Sequence, residues 1–315
     1  MENINDRRLE SLAEEISLMA QTGTGTDVCL RHKCLPLPVN YDSPVPDIAD
    51  LDQRDHFNYR SLLPGIHWRE EEQLAVLAQL GQMFGHECNW PADNTHNPYQ
   101  YYTENVCFGY GCAAALHCFI RYFKPGRIVE IGSGFSSLVI SSAIGVNAKA
   151  NSEYIIIDPY PQPIMNSLPR VTSFVKQRVE LLDADFFERL GKNDILFVDS
   201  SHIVRMGSDV NYLVLEVLPR LAPGVIVHFH DIPMPWEYSR VYFTNPTFRR
   251  FWTESYLLQA FLCFNSQFEV LLAMRYLMTK HKEKFCSAFN HYSPERHHAI
   301  SNSFWMRRKV GLLDT

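Results

Sequence analysis

From Phe108 onward the chain alternates short apolar runs with helical stretches, and that alternation restricts its fold more than any other feature. The runs are RIVEI (127–131), YIIID (154–158), VELLDAD (179–185), DILFVD (194–199) and VIVHFHD (225–231). Between or before them, residues 111–123, 137–144 and 212–221 carry helical spacing. A short strand that is apolar on both faces needs cover on both, which a parallel sheet flanked by crossover helices supplies. The pattern predicts a doubly wound α/β domain. Two later runs, FEVLLAM (268–274) and SFWMRRKV (303–310), are expected to close it as an antiparallel pair, giving a mostly parallel sheet of seven strands.

The residues ahead of this domain follow a different pattern. Leu9, Leu12, Ala13, Ile16, Met19 and Ala20 recur at helical spacing, and a proline-rich connection occupies residues 35–55. A second helix is expected near Trp68, with Leu74, Leu77, Ala78 and Phe84 as its buried stripe. Residues 89–111, NWPADNTHNPYQYYTENVCFGYG, form a loop rich in aromatics and amides, either a surface connection or a substrate-facing lid. The expected division is a helical and loop extension over 1–105, serving as lid or oligomerisation region, and a ligand-binding domain over 106–315.

A formal charge of −6 provides no basic field for a phosphate backbone or an anionic bilayer, so nucleic acid and membrane are not expected partners. A small molecule is, with a homo-oligomer as the expected assembly. The first twenty residues are charged throughout, and no apolar run approaches the length of a span. The eight cysteines show neither a C-x-x-C pair nor the spacing of a disulfide framework, which suits free thiols in the cytoplasm. His281, His297 and His298 lie in polar segments and read as solvated.

The turn after RIVEI reads GSGFSS. In an open parallel sheet, ligands bind at the carboxyl ends of the strands where strand order reverses, beside the first strand. A dinucleotide fold also opens with G-x-G, but here Ser137 stands at the third glycine, and Glu130 would repel a diphosphate. The same acid suits a ligand with an ammonium group. Asp158 can accept from ribose hydroxyls, and Asp183 can meet an adenine amino group. Ribose, adenine and a cationic amino-acid tail together describe S-adenosylmethionine.

In the order and spacing of VEIGSGFSS, IIIDPYP, ELLDADFF, DILFVDSSH and LAPGVIVHFHDI, the chain resembles the class I S-adenosylmethionine-dependent methyltransferases. The resemblance covers roughly residues 105–312 and is greatest to the bacterial branch of sugar and natural-product O-methyltransferases. It implies a cofactor site at Glu130, Gly132, Ser133, Gly134, Asp158, Pro159, Asp183, Ala184 and Asp199. It further implies Asp199, His230 and Asp231 as ligands of Mg2+ or another divalent cation, and His202, beside Asp199, as the general base. His230 departs from the oxygen donors that magnesium prefers. His228 reads as a core residue. Tyr160, Trp236 and Tyr238 are candidates to line the pocket of a small-molecule or saccharide acceptor. Two rival functions suit parts of the pattern: a nonheme-iron oxygenase using the His/Asp cluster, and a nicotinamide-binding oxidoreductase using the glycine turn.

Overall fold

The computed structural model describes residues 6–147, 152–247, 249–297 and 301–310. His298 lies outside them. The chain forms two compact units, one of residues 1–59 and 237–251, the other of residues 60–236 and 252–315. In the first, helix Asp6–Thr22 is amphipathic and buries none of its residues. Within the connection read as proline-rich, Ile48–Gln53 is a short helix, started by the Asp47 side chain accepting from the amides of Ala49 and Asp50. Arg240 pairs with Asp52 at 2.8 Å, and Phe243 packs on Phe57, joining the two stretches of this unit.

The second unit is built on a seven-stranded sheet: β1 (Arg127–Ile131), β2 (Glu153–Ile157), β3 (Ser173–Val175), β4 (Ile195–Val198), β5 (Ile226–Phe229), β6 (Phe268–Ala273) and β7 (Phe304–Arg308). Strand order is β3-β2-β1-β4-β5-β7-β6, with β7 antiparallel to both its neighbours and β1 to β5 parallel. Strands β1, β2, β4 and β5 expose almost nothing, and Ile, Val, Leu and Phe make up most of them, with Glu130 and His228 buried among these. The order reverses between β1 and β4, so the crevice at their carboxyl ends is the switch point. Helices Glu70–Phe84, Tyr110–Phe123 and Phe135–Val146 pack in this unit, and the helical run 209–220 passes through a π turn at Leu213–Val217.

The expected third strand needs correction. Val179–Leu181 is a 3-10 turn and Ala184–Arg189 another, whereas the paired strand is Ser173–Val175. VELL is apolar enough to imitate a strand, but it forms a turn that buries Val179 and leaves Leu181 exposed. The real edge strand has three residues and an exposed serine. No helix among the described residues is long and apolar enough to cross a membrane.

Candidate functional site

The turn after β1 explains its own composition. Gly132 sits at φ +83°, and a Cβ there would lie 1.9 Å from the carbonyl oxygen of Asp199. Only glycine combines that backbone conformation with so close an approach of β1 to β4. Ser133 donates to the Asp158 carboxylate through both its amide (3.0 Å) and its hydroxyl (2.6 Å), while the Tyr160 amide takes the other oxygen at 2.8 Å. Asp158 thereby ties the first turn to the end of β2.

Glu130, on the strand before the turn, is bonded within the protein. Its carboxylate is fully buried and accepts from the hydroxyls of Ser136 (2.6 Å), Ser137 (2.8 Å) and Tyr154. Ser137 accepts in turn from the Gly134 amide at 3.0 Å, so the acid holds the glycine turn through a serine. Burial pushes the Glu130 carboxyl up to about 7, against the three hydroxyls that favour its charge.

Beside this turn opens a cavity of about 470 Å³ lined by Gly132, Ser133, Asp158, Pro159, Tyr160, Arg178, Val179, Glu180, Asp199, Ser200, Ser201, Arg205 and Asp209, with Ile131 and Ile157 behind them. Arg178 to Glu180 occupy the wall for which Asp183 and Ala184 were expected. Asp183 instead caps the following turn, accepting from the Asp185 amide at 3.2 Å. The aromatic loop runs beside the same end of the sheet: Tyr102 meets Phe135 edge-on at 5.2 Å, and Phe108 packs on His230 at 5.0 Å.

Asp199 belongs to the cavity wall and also to a cluster at the ends of β4 and β5. Its carboxylate lies 3.2 Å from His202 Nε2 and 3.5 Å from His230 Nδ1, and Asp231 reaches the same nitrogens at 3.8 and 3.4 Å. One donor atom each from Asp199, His230 and Asp231 fall within 4.8 Å of one another, compatible with a shared cation. His202 and Asp231 both adopt the left-handed backbone region, φ +60° and +55°, which is uncommon outside glycine and marks both strand ends as constrained.

The charges in this cluster sustain each other. Burial works against the ionised carboxyl of Asp199, but His230 and His202 outweigh it and hold the group well below the usual range. Asp231 is lowered in the same way. For His202, burial pulls the imidazolium down, whereas Asp199 and Glu254 raise it to about 10. His230 is raised as well. His228 is the contrast: buried, stacked on Phe197 at 4.0 Å and bonded to Ser303, it is driven well below the ordinary value by burial.

Sequence reasoning missed Glu254. Its carboxylate is fully buried and lies 2.8 Å from His202 Nδ1. The sequence signal, an acid opening an apolar helix, is the ordinary one for a helix N-terminus. The acceptor candidates separate: Tyr160 is 85% exposed on the cavity rim, Trp236 packs near the guanidiniums of Arg60 and Arg275, and Tyr238 is buried in the first unit. His281 and His297 are more engaged than solvated side chains. The former contacts Glu70 at 2.9 Å, and the latter stacks on Tyr110 at 4.5 Å.

The parallel sheet with its reversed seventh strand and its glycine turn at the switch point is the class I, Rossmann-like arrangement, and residues 129–232 match the family model described as a methyltransferase domain. The chain belongs to one family with an uncharacterized protein of Archaeoglobus fulgidus, to which it is 34% identical over 169 residues, 50% of this chain and 75% of the archaeal one. Among solved structures it is similar to the SAH-bound methyltransferase PaMTH1 of Podospora anserina, with 15% identity, 87% of this chain and 100% of that chain covered, and a TM-score of 0.38. It is also similar to a DUF574 family protein of Streptomyces avermitilis, with 15% identity, 62% and 80% covered, and a TM-score of 0.36.

Proposed function

We propose that this enzyme methylates a hydroxyl on a small molecule or saccharide, in the manner of the sugar and natural-product O-methyltransferases, with His202 taking the hydroxyl proton. One observation carries the reading: Asp199 lies in the wall of the cofactor cavity and 3.2 Å from Nε2 of His202. A methyl donor in that cavity and a proton acceptor at His202 would then be separated by a single carboxylate.

When bound, S-adenosylmethionine supplies a methyl group on a positively charged sulfur. An acceptor oxygen taking that methyl group would leave the sulfur neutral, and His202 would take the hydroxyl proton. The protein's contribution is alignment and proton transfer. Asp158 is the residue to accept from ribose hydroxyls, and Arg178 to Glu180, which line the same cavity, would meet the adenine. Glu130 acts from below by fixing the turn. At rest His202 holds a proton between two carboxylates, so it accepts another group's proton only once Nε2 is released from Asp199 and has lost its own. Asp199, His230 and Asp231 are the residues to hold a divalent cation, whose Lewis acidity would lower the pKa of the acceptor hydroxyl. Two carboxylates with one imidazole suit manganese or zinc better than magnesium. Residues 1–105 form an extension to the catalytic domain in this reading, and the aromatic loop 89–111 a wall of the acceptor site.

Calorimetric titration should show binding of S-adenosylhomocysteine, and Asp158→Ala should weaken it roughly tenfold or more, the worth of one charge-assisted hydrogen bond. Tight binding of NADH with no heat from either adenosyl ligand would overturn the reading.

A further inference from the structure

The segment Trp252–Thr253–Glu254 grips His202 at four points. The amides of Thr253 and Glu254 both donate to the His202 carbonyl, at 2.9 and 3.1 Å. The Thr253 hydroxyl accepts from the amide of Val204 at 2.7 Å, fixing the loop beyond the histidine. Trp252 packs on the imidazole ring with centroids 4.6 Å apart. The Glu254 carboxylate accepts at Nδ1. This grip holds a residue in the left-handed region, which side chains other than glycine adopt uncommonly.

Structure alone does not require the last of these contacts. Glu254 is fully buried, and its Oε1 has no hydrogen-bond partner among the described residues. A buried carboxylate left half-unpaired is a poor way to stabilise a fold, and an amide or an apolar side chain would fill the place at lower cost. What a carboxylate does and those groups do not is hold a proton firmly on the nitrogen it faces. An imidazole whose Nδ1 keeps its hydrogen presents Nε2 as the nitrogen that exchanges protons. Nε2 is the nitrogen that faces Asp199 and Asp231.

We propose that Glu254 is a positioning residue for proton transfer at His202: its buried carboxylate fixes the hydrogen on Nδ1 and aims Nε2 at the acceptor hydroxyl. The assignment of a catalytic purpose rests on the methyl-transfer reading above. The pair itself does not.

The test uses full-length protein labelled with 15N-histidine. In the wild type, the Nδ1 proton of His202 should appear as a slowly exchanging low-field resonance, identified by its absence in His202→Asn. Glu254→Gln should move that resonance upfield or lose it to exchange, because a neutral carbonyl holds the proton less strongly than a carboxylate. Glu254→Asp should retain it. Both variants should bind S-adenosylhomocysteine as the wild type does. A wild type with no such resonance would overturn the proposal whatever the variants do, as would a resonance unmoved in Glu254→Gln. Loss of S-adenosylhomocysteine binding in both variants would make Glu254 a structural residue. A wild type that binds neither adenosyl ligand would instead overturn the methyl-transfer reading, while the resonance still decides the Glu254–His202 pair.

Discussion

Individual residues of this site are set by burial as much as by chemistry, and Glu130 shows how. Three hydroxyls surround its carboxylate, yet removal from water dominates and lifts its pKa from the ordinary 4.5 to about 7. An acid whose pKa is higher in the folded chain binds its proton more tightly there. Its contribution to stability is complete below pH 4.5 and is lost as pH rises through 7. The shift corresponds to about 3 kcal/mol, spread over that window. The raised pKa of His202 acts in a later window, above its ordinary 6.5, and the lowered ones of Asp199 and Asp231 act below 3.8. Urea unfolding at pH 5 and pH 7.5 should therefore show a smaller loss of stability in Glu130→Gln than in the wild type. An equal loss in both would mean that the carboxyl ionises freely. At this scale the sequence showed which residues carry chemistry but not where they point. Glu130 was legible as an acid beside a glycine turn, and nothing in the chain told that two serines and a tyrosine would close around it. Glu254 reaches His202 across 52 residues of sequence, a distance over which no spacing rule operates.

At the scale of elements, the strands with unbroken apolar runs were legible because burial on both faces leaves no other composition available. Strand β3 was not, and its case is instructive. It pairs only with β2, at the edge of the sheet, and its three residues, SFV, are only partly buried and too few to show a pattern. The stronger apolar run downstream then took its place in the sequence reading, which set the expected adenine contact at Asp183–Ala184, whereas the cavity is lined by Arg178–Glu180. The antiparallel pair at the other edge was legible for the opposite reason: β7 is flanked on both sides and buries Phe304, Trp305 and Met306 completely. The displacement yields a direct comparison. Glu180 lines the cavity, whereas Asp183 is exposed and engaged with its own turn. Glu180→Ala should weaken S-adenosylhomocysteine binding by about 1 kcal/mol or more, the net worth of one hydrogen bond. Asp183→Ala should leave the affinity unchanged. The reverse outcome in calorimetry would return the adenine to the position first expected from the sequence.

For the whole molecule, ligand binding and stability are one quantity seen twice. A ligand that binds only the folded chain adds stability in proportion to the logarithm of its concentration over Kd, about 2.7 kcal/mol at a hundredfold excess. Every residue lining the cavity beside the glycine turn and in the Asp199, His230 and Asp231 cluster belongs to the larger unit, so the gain from either ligand is expected in its unfolding transition. The two ligands differ in which side chains transmit the gain. In the proposed reading, S-adenosylhomocysteine would depend on the turn and on Asp158. A divalent cation would depend on Asp199 and Asp231, whose carboxylates are already held ionised by their histidines, and on His230 giving up the proton that those carboxylates favour. Proton release makes metal binding stronger at higher pH. Manganese or zinc should accordingly raise the melting temperature by several degrees at pH 8 and by less at pH 6. Asp231→Asn should remove the metal-induced shift and keep the shift caused by S-adenosylhomocysteine. If the wild type shows no shift with either ion at pH 8, the cluster is a charge network without a cation, and His202 works with Asp199 and Glu254 alone.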